Sequence, residues 1–235
     1  MKKYLFFLSI FVLALLNNPA QARAELINIQ FRDSSGTTYS GAGVIGSSGD
    51  TWNQLTSGNG TNNSLVNSSN VNSTPTISWT ADSVWTTISG QNNGFQGQTG
   101  DDLMNSYLFS SPGVSNTITF NNLTPLTTYD LYVYSEGDKY SNGRTLSITL
   151  NGVTQTTAST DYTASTFIGG QNYLKIGATT DVAGVLAIDY QGSSGEPNIN
   201  GMQLLSPVPE PSTFVLMGIG GLIVLFLLKK STVVS

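Results

Sequence analysis

Residues 121–138 read NNLTPLTTYDLYVYSEGD. From Thr128 onward the side chains alternate. Tyr129, Leu131 and Val133 project to one side, and Asp130, Tyr132 and Tyr134 to the other. Aromatic and β-branched residues suit a pleated, half-buried surface. Pro125 before the run and Gly137 after it close it off. The stretch predicts a β-strand over Thr128–Ser135 that turns Tyr129, Leu131 and Val133 to a core.

Similar runs recur along the chain. They cover Leu26–Phe31, Thr76–Thr80, Val84–Ser89, Thr117–Asn121, Thr145–Leu150, Tyr173–Ile176, Gly184–Tyr190 and Gly201–Leu205. Asn142-Gly143 and Asn151-Gly152 are turn signals between them. One helix is predicted, Asp101–Leu108, capped by Asp101. The polar stretch Asn59–Asn72 predicts a surface loop or irregular edge. The fold class is therefore all-β, a single antiparallel sandwich. The lead-in Leu123-Thr124-Pro125 before Thr128-Tyr129 resembles the corner of fibronectin-type and jelly-roll sandwiches, where a tyrosine hydroxyl bonds back to the backbone. A fibronectin-type module would use only half of the chain from Glu25 to Ser206, so one larger jelly roll fits better. The start YSGAGVIGSSGDTWN (residues 39–53), the central strand and the close GVLAIDYQGSSGEPNINGMQLL (residues 184–205) together resemble galactose-binding-like jelly rolls. That resemblance brings no catalytic motif.

The two ends of the chain are of different composition. MKKYLFFLSIFVLALLNNPAQARA (residues 1–24) has a basic start at Lys2 and Lys3, a short apolar run over Tyr4–Leu16, then small residues. This is the layout of a signal peptide, with cleavage expected after Ala22 or Ala24, so signal peptidase is an expected partner and the protein is exported. At the other end Val208-Pro209-Glu210-Pro211 precedes an apolar stretch, Thr213–Leu228, and the basic pair Lys229 and Lys230. As a helix that stretch is roughly 24 Å long, short for a hydrocarbon core of about 30 Å unless the flanking lysines snorkel. Positive charge stays cytoplasmic, so the body faces outward. The two prolines hold the peptide around Glu210 extended.

This tripartite tail resembles the PEP-CTERM sorting signal, also known as an ice-binding-protein C-terminal domain, a label that concerns the tail and not the body. The resemblance implies a Gram-negative-type bacterium that makes exopolysaccharide. It also implies a membrane-embedded exosortase that reads residues 208–211, and release from the inner membrane to the surface or extracellular matrix. Three parts are thus expected: residues 1–24 as signal peptide, 25–206 as the sandwich, and 207–235 as the sorting signal. The alternative is an uncleaved single-pass anchor bearing a binding or adhesion domain.

The chain contains neither Cys nor His. Disulfides, thiol nucleophiles, Ser-His-Asp triads and the usual zinc sites are excluded. Between Glu25 and Ser206, thirteen acidic side chains face four basic ones (Arg32, Lys139, Arg144 and Lys175), an excess of nine negative charges. A nucleic-acid partner needs the opposite balance. No Gly-rich loop ends in Gly-Lys-Ser/Thr.

Carboxylates remain, in Glu136 with Asp138, Asp101 with Asp102, and Glu196. They read first as turn and cap residues; a catalytic pair among them would make the protein a glycan hydrolase or lyase. No cofactor is expected. A structural calcium would draw on Asp101, Asp102, Asp138 and Asp189, although no EF-type loop exists. For a sugar, the aromatic candidates are Trp52, Trp85, Tyr132, Tyr134 and Tyr140. Tyr132 and Tyr134, opposite the core face of the central strand, are the expected glycan contact. The expected function is that of a non-catalytic, exopolysaccharide-associated surface protein.

Overall fold

In the computed structural model, residues 24–87, 94–138, 143–158 and 164–208 are described. Residues 1–23 of the expected signal peptide, Pro209-Glu210-Pro211, the apolar stretch Thr213–Leu228, Lys229, Lys230 and Tyr140 lie outside them. Among the described residues, no helix is long and apolar enough to cross a membrane. Glu25–Pro207 forms one compact unit.

The strands are β1 (Leu26–Phe31), β2 (Asn53–Leu55), β3 (Gly60–Val66), β4 (Asn72–Trp79), β5 (Ser83–Thr86), β6 (Ser106–Phe109), β7 (Asn116–Asn121), β8 (Thr128–Tyr134), β9 (Ser147–Leu150), β10 (Val153–Thr156), β11 (Tyr173–Thr179), β12 (Leu186–Gln191), β13 (Asn198–Ile199) and β14 (Gly201–Leu205). Two large sheets face each other, one in the order β11-β8-β14-β1-β2 and the other β10-β9-β12-β7-β4-β3. A third, β13-β6-β5, closes one end. Pairing is antiparallel except between β1 and β2. The sandwich predicted from alternation is present, with this small third sheet added.

The alternation read in β8 holds. Tyr129, Leu131 and Val133 join Ile27, Ile29, Phe31, Met202 and Leu204 from the first large sheet. Ile77, Trp79, Ile118, Phe120, Ile148, Ile188 and Tyr190 meet them from the second. The corner also holds, because the Thr124 amide donates to the Tyr129 hydroxyl at 3.0 Å.

The last strand lies in the middle of its sheet, between β8 and β1. Gly201 is where β14 enters, and a Cβ there would sit 2.5 Å from the Ile29 carbonyl oxygen and 2.8 Å from a Leu103 methyl. Leu205 pairs with Leu26, and beyond them the Ser206 amide donates to the Glu25 carbonyl at 2.8 Å. Both ends of the unit therefore leave from one pole.

One expectation is settled between its alternatives and one is corrected. Asn59–Asn72 is the irregular edge and not the loop. Most of it is β3, an edge strand paired with β4 through two register shifts; Leu65 anchors it in the core. The helix α1 covers only Asp101–Met104, and Gly100, not Asp101, is its N-cap. Asp101 instead accepts the Gly97 amide at 2.6 Å. Ser106–Phe109 is drawn into β6 because it pairs on both sides, with β5 and β13, and tertiary pairing outweighs local propensity.

The outer face of the β8 sheet is buried too. Tyr39, Trp52, Phe95, Leu103, Met104, Tyr132 and Tyr134 form a second cluster over it. Buried amides tie this cover down. Gln203 Nε2 donates to Asn28 Oδ1 at 2.8 Å and to the Ile45 carbonyl at 3.0 Å, and its Oε1 accepts from the Tyr134 hydroxyl. Replacing Gln203 by Ala leaves these groups without partners and opens a cavity. We expect Gln203→Ala to lower stability by about 2–4 kcal/mol, read as a lower urea midpoint at unchanged slope. Gln155→Ala on edge strand β10 should stay within about 0.5 kcal/mol.

Candidate functional site

The expected glycan contact lies on the side where alternation put it, but that side is covered. Tyr134 is fully buried. Its hydroxyl accepts the Val44 amide at 2.7 Å, and its ring packs on Trp52, Phe167 and Tyr173. Tyr132 is buried as well, with the Lys175 ammonium 5.4 Å from its ring centre. The residue 36–52 segment and α1 cover the face that looked free. Neither ring offers a stacking surface, and the Tyr132/Tyr134 platform is withdrawn for that reason. Trp52 is buried in the same cluster, its indole N–H donating to the Gly41 carbonyl at 2.9 Å.

Trp85 differs from the other two tryptophans. Trp52 and Trp79 are buried, whereas Trp85 is 42% exposed. It stands on β5 directly opposite Tyr107 on β6. Phe109 is two residues beyond Tyr107 and pairs with Asn198 on β13. The period of two puts Trp85, Tyr107, Phe109 and Asn198 on one face of the three-stranded sheet. Val84, Leu108 and Ile199 on its other face belong to the main core. The aromatic row is therefore held by strands that are themselves anchored from below.

Charged groups border this row. Trp85, Tyr107, Phe109, Asp138, Arg144 and Glu196 line a cleft of about 250 Å³. Arg144 Nη2 pairs with Glu196 Oε2 at 3.1 Å. The guanidinium lies 5.7 Å from the Tyr107 ring centre, and its Nη1 donates to the Tyr107 hydroxyl at 3.4 Å. That hydroxyl donates to Asp138 Oδ2 at 3.3 Å. With its amide turned oxygen toward the guanidinium, Asn198 accepts from Arg144 Nη1 at 3.1 Å. The Glu196–Arg144–Tyr107–Asp138 chain fixes acceptors and donors at the rim of an apolar floor. A flat aromatic surface beside a few oriented polar groups is the combination that grips a polyhydroxylated ring.

The other candidate carboxylates lie elsewhere. Glu136 is buried and accepts from Asn172 Nδ2 at 3.3 Å. Asp101 and Asp102 are on α1. Asp189 is exposed on the second large sheet, bonded to the Thr117 hydroxyl at 2.8 Å. Among the described residues, no three carboxylates gather as a metal site would require. The cleft residues come from distant positions in the chain, and no local motif joins them. The one signal in the sequence was Trp85 itself, an aromatic on a short strand beside Val84 and Thr86.

Residues 207–230 match the PEP-CTERM protein-sorting motif. No curated protein matches the chain. Among solved structures, the chain is similar to a family 35 carbohydrate binding module from Clostridium thermocellum (23% identity, covering 57% of this chain and 100% of that one, TM-score 0.31). It is similar also to the exo-beta-1,3-galactanase from Phanerochaete chrysosporium with galactose (15% identity, 60% of this chain and 32% of that one, TM-score 0.31). A third is the Penaeus vannamei nodavirus P-domain (21% identity, 41% of this chain and 87% of that one, TM-score 0.29).

Burial raises the Tyr107 hydroxyl above its ordinary value of 10.0; Arg144 opposes the rise and Asp138 adds to it. A tyrosine whose folded value is raised contributes stability fully present below pH about 10 and lost as pH rises beyond it. Melting temperatures measured through the alkaline range should fall less steeply in Tyr107→Phe than in the parent. Trp85→Ala should leave that slope unchanged.

Proposed function

We propose that this chain is an exported surface or matrix protein, sorted through its PEP-CTERM tail, whose body holds a glycan without catalysing its cleavage. In this reading signal peptidase removes residues 1–24 and an exosortase acts at Val208-Pro209-Glu210-Pro211. The released protein then associates with exopolysaccharide. The observation that carries the binding role is the exposed Trp85 in register with Tyr107, floored by Phe109 and rimmed by Asp138, Arg144 and Glu196. Trp85 supplies a stacking face, and the carboxylates and guanidinium supply acceptors and donors for ring hydroxyls. One stacked ring contributes about 1 kcal/mol. Single-site affinity is then on the order of millimolar, about −4 kcal/mol, and retention in a matrix rests on many sites acting together.

The presence of both Asp138 and Glu196 in the cleft favours one second reading, a carboxylate-based glycan hydrolase. The two readings differ in turnover. Purified protein mixed with neutral polysaccharides should be retained without generating new reducing ends. Trp85→Ala should lose most of that retention at an unchanged melting temperature. Turnover that disappears in Asp138→Asn and Glu196→Gln would replace binding by hydrolysis. Loss of melting temperature with retention intact would return Trp85 to plain packing.

The sorting reading has its own measurement. Intact mass of the surface form should lack Leu222–Lys230. Alanines at Pro209, Glu210 and Pro211 should keep the protein in the inner membrane with the tail attached.

A further inference from the structure

Four turns meet at the pole where the chain leaves the body. The Ser68 amide donates to the Leu26 carbonyl at 2.8 Å, bringing residues 67–71 beside β1. The Leu126 amide donates to the Asp181 carbonyl at 3.1 Å, joining residues 122–127 to 180–185. Asn151 Nδ2 donates to the Thr179 carbonyl at 3.0 Å, adding the turn before β10. Three of these turns and the first residue of β10 carry apolar side chains outward, namely Val71 (58% exposed), Leu126 (70%), Val182 (79%) and, on β10, Val153 (63%).

Leu126 is held out at a cost. Its φ is +51°, a left-handed conformation uncommon for a bulky side chain. The Asp181 carbonyl bond and the Thr127 amide, which donates to the Thr180 hydroxyl at 3.0 Å, maintain it. The pole has no attractive charge of its own. The four turns contain no Lys or Arg. The Glu25 carboxylate accepts the Ser73 hydroxyl at 2.7 Å, and Asp181 caps the amides of Ala183 and Val185, both at 2.8 Å.

Beyond this pole, six residues (207–212), or seven Cα–Cα steps, lead from Ser206 to Thr213, where the apolar stretch begins. An extended chain covers at most about 3.6 Å per residue, so the link spans roughly 25 Å at full stretch.

We propose that this pole is a lipid-facing surface, on which Val71, Leu126, Val153 and Val182 dip into the bilayer interface while the tail is still attached. The inference rests on the apolar stretch residing in a membrane, as the sorting reading requires. Four small apolar tips without cations bind a bilayer weakly by themselves. The short tether supplies the effective concentration that makes contact persist. Cleavage of the tail removes the tether, and the body then departs without a separate release step. The contact also holds the Trp85 cleft outward, since Asp138 follows the opposite end of β8 from Thr128.

The absence of cysteine allows single reporters in the full chain. Leu126, Val182, Val114 and Leu222 are each replaced by Cys in separate proteins, labelled with an environment-sensitive fluorophore and reconstituted into phosphatidylcholine–phosphatidylethanolamine vesicles. Val114 is the control, in the turn before Asn116, which pairs with Tyr190 at the far end of β12. The expected result is a blue shift and quenching by spin-labelled lipid at 126, 182 and 222, with none at 114. Quenching at 222 alone overturns the proposal and leaves the membrane reading of the tail standing. No quenching at 222 overturns both. A blue shift at 126 and 182 that lipid spin labels do not quench, with cross-linking between copies at 182, assigns the pole to a second copy of the chain and also overturns the proposal.

Discussion

Buried amides on the outer face of the β8 sheet are the constraint on which the rest of the body depends. Asn28, Gln30, Asn200 and Gln203 are all fully buried. In a simple sandwich that face would meet water, and polar side chains there would need no partners. Here an irregular segment covers it, so each amide must find protein groups or lose about 1–3 kcal/mol. Gln30 bonds the Thr37 and Asp102 carbonyls and the Tyr39 amide. Gln203 bonds both backbone groups of Ile45. Asn200 reaches the carbonyls of Met104, Ser106 and Glu136 and accepts the Glu136 amide. These bonds specify how the residue 36–52 segment and α1 lie over the sheet. They also set the corner from β13 into β14, against which the small third sheet is built.

The position of β14 then decides which functions each pole can serve. A last strand inserted between β8 and β1 cannot pair until the chain is synthesised nearly to its tail. It brings Leu205 back to Leu26, so both ends of the Glu25–Pro207 unit lie at one pole. The loops at the opposite end of β8 and β9 carry Asp138 and Arg144. The proposed ligand cleft and the proposed lipid-facing pole are thus separated by the length of the strands. Neither needs a hinge, because the ladder itself keeps the two ends apart.

Much of this was legible from residue patterns. Strands β1 and β14 coincide with the predicted runs because strict apolar periodicity, Ile27-Ile29-Phe31 and Met202-Leu204, meets a single core. The Tyr129 corner was legible because its chemistry is local, five residues from hydroxyl to amide. The fate of Tyr132 and Tyr134 was not. Period-two alternation tells which side a residue faces and says nothing about what covers that side. The signal was present in Asn28, Gln30 and Gln203, polar residues among the most regular strands, but it takes their partners to distinguish buried amides from solvated ones. β3 was hidden for a related reason. GTNNSLV has one core residue, Leu65, and its pairing comes from β4 rather than from its own composition. The Trp85 cleft joins residues from 85 to 196 and rests on strand register together with the loops that carry Asp138, Arg144 and Glu196.

A chain with only 10% charged residues must also keep its sheets from sticking to one another, and the second large sheet shows how. Its outward hydroxyls are occupied across the strands. Thr149 bonds Thr154, Ser147 bonds Thr156, and Thr117 bonds Asp189, each at 2.8 Å. Such ladders stabilise pairing locally and leave fewer groups seeking a partner. Edges remain the hazard, since unpaired amides invite a further strand and neither β3 nor β10 carries a lysine or glutamate to repel one. Geometry substitutes for charge. β3 breaks register twice, and Asn62 has a φ of +51°, so the strand never offers a long flat edge. β10 has only four residues, and its neighbouring turn is engaged by Thr179. Short or bent edges and mutually satisfied hydroxyls thus keep a β-sandwich poor in charged side chains from pairing edge to edge.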